Sequence, residues 1–185
     1  YDPLTGLPNR ALLAERSREA IEAAQRNHTA LAVIFLDLDH FKHINDEYGH
    51  LEGDAALVLL AGILKKVCAN YNGVLARYGG EEFMVLLPDT TAKGGYLLAQ
   101  QLCEAVQALR LEHEGQPIPV TVSIGVYGGR LQPGDHWDML ISAADRALYE
   151  AKDRGRNRVE VVEALRRPAS LVTANSDPET QPALF

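Results

Sequence analysis

The sequence predicts an α+β domain in which a mixed β-sheet packs against helices. Three observations predict it. Ala30 to Leu36 is an unbroken apolar run, the look of a central strand covered on both faces. Gly79-Gly80 divides Val74–Leu87 into two strand-like segments, which makes an antiparallel hairpin. The other strand-like segments are joined through helical patterns, which permits crossovers. A chain of 185 residues with 46% hydrophobic content has the length and the apolar mass for one domain with one core.

Charge and composition narrow the function classes. A net charge of -7 argues against a general nucleic-acid or acidic-membrane binder. An acidic protein that holds polyphosphate needs a divalent cation or a local cationic patch. The cysteines, Cys68 and Cys103, lack metal-ligand spacing and read as small buried thiols of a reducing compartment. No signal peptide and no bilayer-length apolar run are present. The expectation is a cytoplasmic piece of a longer protein, without membrane contact of its own, whose parent can still be membrane-anchored.

The elements follow in order. Residues 1–10 are turn-rich, and Asn9 caps a helix to about Asn27 with Leu12, Leu13, Ala20, Ile21 and Ala24 as its stripe. The apolar strand comes next, then a short helix from His40 to Tyr48 and a helix from Ala55 to about Ala69 capped by Asp54. After the hairpin, a helix spans about Ala92 to Leu111. In the strand Val120–Tyr127, Val120, Val122, Ile124 and Val126 alternate with small residues, and Gly128-Gly129 end it. A helix from about Trp137 to Arg154 and a strand from Asn157 to about Val162 complete the domain at residue 165. Residues 166–185 read as a disordered tail or linker remnant.

Charged residues gather at the ends of these elements. Asp37 and Asp39 close the apolar strand and, by alternation, project to one side. Acids there suit Mg²⁺, which takes one or two carboxylates and fills its shell with water and phosphate oxygens. Asp39 alone reads equally as a helix cap. Lys42, Asn45, His50 and Asp54 are able to read a base or phosphate; composition alone makes them a solvated loop with caps. Asp145, Tyr149, Lys152 and Arg156 fall on one helical stripe if the helix persists that far. Macrodipole compensation accounts for one or two of the cations near that helix end. Glu81 and Glu82 follow the hairpin glycines, where alternation sends them to opposite faces, so only one shares the face of Asp37.

Five separated blocks then carry a family resemblance: Asp2-Pro3-Leu4-Thr5-Gly6-Leu7-Pro8-Asn9-Arg10; Asp37 to Lys42 with Ile44-Asn45-Asp46; Gly49-His50 with Gly53-Asp54; Arg77-Tyr78-Gly79-Gly80-Glu81-Glu82-Phe83; and Asp145 with Ala147 to Tyr149, Ala151-Lys152 and Gly155-Arg156-Asn157. Over about residues 1–162 the chain resembles a GGDEF domain of the diguanylate cyclases, in the GGEEF variant. The resemblance implies a palm-like, nucleotidyl-cyclase-type sheet carrying the GGEEF hairpin. It implies that Asp37, the Leu38 carbonyl and Glu81 bind Mg²⁺ or Mn²⁺. Asn45 and Asp54 match guanine-reading positions, His50 a further substrate contact, and Lys42, Lys152 and Arg156 the cations on the triphosphate. Glu81 is the residue expected in the base or metal role, with Glu82 as the second candidate. The implied reaction joins two GTP into cyclic di-GMP in a homodimer driven by an upstream sensory or coiled-coil region. The alternatives are a catalytically silent GTP-binding module and a palm-type cyclase or polymerase acting on one nucleotide.

One departure has a consequence. Where many active cyclases carry an Arg-x-x-Asp product-inhibition motif, this chain has Asn70-Tyr71-Asn72-Gly73. Titration with cyclic di-GMP is therefore expected to show no high-affinity binding at that site. Tight binding that depends on Asn70 and Gly73 would contradict this.

Overall fold

The computed structural model describes residues 1–168. Its elements are α1 (Arg10–Asn27), β1 (Ala30–Leu38), α2 (Phe41–Tyr48), α3 (His50–Val67), β2 (Val74–Arg77), β3 (Glu82–Pro88), α4 (Ala92–Gln107), β4 (Leu111–His113), β5 (Gln116–Ile118), β6 (Val122–Arg130), α5 (Trp137–Asp153) and β7 (Arg158–Val162). The main sheet runs β2-β3-β1-β6-β7. Only β6 and β7 pair in parallel, with α5 as the crossover, and the other neighbours are antiparallel. The mixed α+β sheet read from the sequence is the one found.

Strand β1 is central, which is why its apolar run is unbroken. Ala32, Ile34, Leu36 and Leu38 pack into the core shared with α3 and α4, and Leu31, Val33 and Phe35 into the core shared with α1 and α5. The period-two geometry of a strand makes the two sets. Asp37 continues the second set, so both of its neighbours and its own position on the sheet fix the face it occupies.

Glycine in β6 lets the helices come close. A Cβ on Gly125 would lie 2.2 Å from the Ala144 carbonyl oxygen and from the Leu148 amide of α5. A Cβ on Gly128 would lie 2.4 Å from the backbone of Ala92 at the start of α4. Gly128 and Gly129 therefore do not end the strand; β6 continues through them to Arg130, paired with β1. Gly125, on the small face of the strand, receives α5 backbone, and Gly128, three residues on and so on the opposite face, receives the start of α4.

Other boundaries also move. Helix α3 starts at His50, not Ala55, so Asp54 lies within the helix and is not its cap. Helix α4 stops at Gln107, and residues 111–118 form a separate hairpin, β4–β5. Pro117 and Pro119 disguise it, but a two-stranded ribbon tolerates proline where no further strand needs the missing N–H. Past the expected domain end at residue 165, the guanidinium of Arg167 donates two 2.9 Å hydrogen bonds to the buried Asp135 carboxylate. Residues 166–168 thus belong to the described domain, and the rest of the expected tail lies outside the described residues. Cys68 and Cys103 are buried free thiols, as read. Among the described residues no helix is long and apolar enough to cross a membrane.

Replacing Gly125 by Ala is expected to destabilise the domain by roughly 1–3 kcal/mol, because α5 backbone must retreat from the new methyl. Urea denaturation checks it, and an unchanged midpoint would refute the close-packing account.

Candidate active site

The candidate site lies where the C-terminal end of β1 meets the β2–β3 hairpin. Register pairs Asp37 with Glu82 on β3 and with Ser123 on β6. Cross-strand partners share a face, so Glu82, not Glu81, is the glutamate on the Asp37 face. Glu81 sits in the turn before β3, where strand alternation no longer governs it. Its carbonyl accepts from the Leu38 amide at 3.2 Å. Its side chain still lines the cleft of about 190 Å³ that Asp37, Leu38, Asp39, His40, Phe41, Lys42, Lys152 and Arg156 also line. Both glutamates therefore meet the acids of β1, by different routes.

The turn is not the two-residue type that Gly-Gly favours. Neither Gly79 nor Gly80 takes positive φ. Tyr78 and Gly79 amides both donate to the Glu82 carbonyl, at 2.8 and 3.2 Å, so Gly79, Gly80 and Glu81 form the loop. Gly79 leaves room for the Glu82 carboxylate: a Cβ there would stand 2.4 Å from Glu82 Oε1 in its present position. Arg77 holds the loop from below, donating from Nη2 to the Gly80 carbonyl at 2.8 Å and from Nη1 to Asp2 at 3.1 Å. Asp2 also accepts from the Thr5 amide and hydroxyl at 2.9 and 2.7 Å. The turn-rich N-terminal segment is thereby tied to the hairpin tip through one guanidinium.

Carboxylates crowd this corner. Burial pushes the Asp37 carboxyl up, with Glu81 and Asp39 adding to it against a hydrogen bond from Lys152. Lys152 Nζ donates to Asp37 Oδ2 at 2.5 Å. The Glu82 carboxyl is also pushed up, by burial first and then by Asp37 and Glu81, with Lys152 opposing. Asp39 is different. Its carboxylate accepts from Thr121 Oγ1 at 2.8 Å, Ser123 Oγ at 2.6 Å and the Asn157 amide at 3.0 Å. It does not cap α2, whose N-cap is His40 with no side-chain bond. It joins β1 to β6 and to the segment after α5.

That segment carries Arg156. Helix α5 ends at Asp153, so Arg156 is not on the helical stripe expected for it. Gly155 at φ 119° and Arg156 at φ 65° turn the chain back, and the Arg156 amide caps α5 on the Ala151 carbonyl at 2.9 Å. This left-handed turn, rather than helical periodicity, puts Arg156 beside Lys152 in the cleft.

The cleft unites Asp37, Leu38, Lys42, Glu81, Lys152 and Arg156; Asn45, His50 and Asp54 do not line it. They lie on the adjoining α2–α3 pair, Asn45 on α2 and the exposed His50 and Asp54 on α3. Asn45 presses against α3 so closely that a Cβ on Gly53 would stand 1.9 Å from its Oδ1. Sequence reasoning missed Thr121 and Ser123 as partners of Asp39; the small, hydroxyl-bearing alternation of that strand was the available signal. Among the described residues no three or more His, Cys, Asp or Glu side chains form a metal cage. Two carboxylates and a carbonyl remain as donors, hard oxygens in a corner of surplus negative charge. That set fits Mg²⁺ completed by water and phosphate oxygens. Position 73 is closed as well, since a Cβ on Gly73 would lie 2.7 Å from the Leu86 carbonyl oxygen.

A diguanylate cyclase GGDEF-domain family model matches residues 1–158. The chain belongs to this family. It is 42% identical over 160 residues to diguanylate cyclase DgcP of Pseudomonas aeruginosa, covering 86% of this chain and 23% of that protein. It is 38% identical over 157 residues to diguanylate cyclase DgcZ of Escherichia coli, covering 85% of this chain and 51% of that one. The chain thus spans a quarter to a half of these relatives. Among solved structures, the GGDEF domain of DgcB from Caulobacter crescentus in complex with c-di-GMP superposes with a TM-score of 0.82 at 32% identity, over 88% of this chain and 93% of that one. The active GGEEF domain of a diguanylate cyclase from Vibrio cholerae gives 0.78 at 33% identity, over 85% and 99%.

The Asp2 contacts yield a pH prediction. Burial alone would raise the Asp2 carboxyl, but the Thr5 hydrogen bonds and Arg77 outweigh it and hold it below the ordinary value. A carboxyl lowered in the fold stabilises above its unfolded pKa, and that stability is lost as pH falls through the folded pKa. Asp2→Ala is expected to cost about 1–3 kcal/mol at neutral pH. The gap to wild type should shrink progressively below the ordinary carboxylate range. Urea melts across pH test this, and a gap that stays constant in acid would refute it.

Proposed function

We propose that the chain is a diguanylate cyclase catalytic domain that condenses two GTP into cyclic di-GMP and two pyrophosphates where two copies meet. The observation that carries the proposal is the single cleft joining Asp37, Leu38 and Glu81 to the cations Lys42, Lys152 and Arg156. Oxygen donors beside three cations suit a metal-bound triphosphate better than any uncharged ligand.

Each residue has a role derived from its chemistry. Asp37, the Leu38 carbonyl and Glu81 would hold Mg²⁺ or Mn²⁺, which when bound neutralises phosphate charge and acidifies an attacking hydroxyl. Lys42, Lys152 and Arg156 bind the triphosphate and steady the departing pyrophosphate. Lys152 reaches Asp37 as well, so one ammonium links the acid to the phosphates. Glu81 or Glu82 accepts the 3′-hydroxyl proton; the raised carboxyl of Glu82 suits that task. The oxygen then forms a bond to the α-phosphorus of the other GTP, and the bond to pyrophosphate breaks. Asn45 and Asp54 pair with the guanine edge, Asp54 accepting from its N–H donors and Asn45 offering both donor and acceptor. His50 contacts the substrate nearby. Because each copy brings one GTP, the site is complete only in a homodimer. Input from an upstream sensory or coiled-coil region reaches the hairpin through Asp2 and Arg77.

The test is cyclic di-GMP formation from GTP and Mg²⁺ across a protein-concentration series. Specific activity is expected to rise with concentration as dimers form, and Glu81→Ala to lower kcat at least about a hundredfold. Binding of GTP without turnover at high protein concentration would instead favour a silent regulatory module.

A further inference from the structure

The hairpin β4–β5 stands outside the main sheet, yet one of its side chains reaches the helix pair assigned above to the guanine. His113 Nδ1 lies 3.2 Å from Oε1 of Glu52, in the first turn of α3. The His113 ring also meets Tyr48, the last residue of α2, edge to face, with centroids 5.8 Å apart and planes at 65°. With a proton on Nδ1, in either the neutral or the charged ring, His113 donates to the Glu52 carboxylate. A single imidazole therefore touches both helices across their junction.

Ile44, Phe41 and Tyr48 of α2 pack into the core that also holds Ala56 and Leu57 of α3, and His113 adds a polar tie from outside. Gly49, at φ 95°, ends α2 and begins α3, and neither helix has a side-chain cap at its N-terminus. From inside, Asn45 of α2 rests against Gly53 of α3, the residue after Glu52 and before Asp54. Any opening of the corner moves Asn45 relative to Asp54. Leu111 and Ile118 root the hairpin in the core shared with α3 and α4, so the brace is anchored.

We infer that His113 is a positioning residue that sets the selectivity for guanine, by fixing the spacing of Asn45 and Asp54 from outside the site. The inference rests on the reading of Asn45 and Asp54 as the guanine-recognising pair. His113 touches neither substrate nor cleft. Its loss relaxes base discrimination and substrate affinity while leaving the groups at the reacting phosphates in place.

The test compares GTP with inosine 5′-triphosphate, which lacks the exocyclic amine, by the ratio of their kcat/KM values. Wild type, His113→Ala, His113→Asn and Glu52→Ala are measured, each checked by circular dichroism and thermal melting. A partial loss of folded protein lowers both rates together and leaves the ratio unchanged. In His113→Ala the ratio is expected to fall about tenfold, through a rise in KM for GTP with kcat kept within about threefold. His113→Asn, which keeps a donor at the Nδ1 position, should restore most of it. Glu52→Ala should match His113→Ala, and the double variant should fall no further. If His113→Ala does not fold, Glu52→Ala carries the test; if wild type shows no turnover, the ratio of the two dissociation constants replaces the kinetic one. A wild type that discriminates beside a His113→Ala or Glu52→Ala variant that discriminates equally overturns the brace alone. A wild type that treats both nucleotides alike overturns the guanine reading, and the brace with it.

Discussion

The register of β1 is the constraint on which the rest depends. Leu31, Val33 and Phe35 must face the α1–α5 core, so two residues further on Asp37 must face the same way, into partial burial. The β3 register then places Glu82 opposite it, and the hairpin loop delivers Glu81 from the side. A one-residue slip would turn the apolar residues of β1 out of the core, so core packing fixes the face these acids occupy. Packing energy spread over the whole sheet thus holds together carboxylates that repel one another. Lys152 offsets part of that repulsion, but a half-buried ion pair of this kind is weak grounds for stability.

Asp39 shows the contrast. Two residues along the same face, it has three hydrogen-bond partners and serves the fold. By holding the Asn157 amide it also fixes the turn that carries Arg156. Both acids of the Asp37-Leu38-Asp39 triplet line the cleft, but Asp37 is held by Lys152 while Asp39 secures the loop that brings Arg156 to it. Arg77 plays the equivalent part beneath the hairpin, joining Asp2 to Gly80.

Much of this was legible in the sequence, for local reasons. Strand β1, the hairpin and α5 follow from apolar runs and helical periodicity, and the site residues from the five blocks. What stayed hidden is non-local or concerns glycine. The partners of Asp39 lie 82, 84 and 118 residues away, so a cap was the nearest local reading. Gly53, which lay outside the helix expected to start at Ala55, sits inside α3, where Asn45 occupies the space a side chain would need. Gly128 and Gly129 looked like the end of a strand and are its continuation, at the point where α4 meets the sheet. Alternation left only one glutamate on the Asp37 face; that one is Glu82, and Glu81 reaches the cleft from the loop, which alternation does not govern.

On the proposed function, these crowded carboxylates form a divalent-cation site that a nucleoside triphosphate completes. Electron paramagnetic resonance of Mn²⁺, titrated into the protein with a non-reactive GTP analogue, tests that claim most directly. One saturable ion per chain is expected in wild type, lost in Asp37→Asn and in Glu81→Gln and retained in Asp39→Asn. Equal binding by wild type and Asp37→Asn would contradict it.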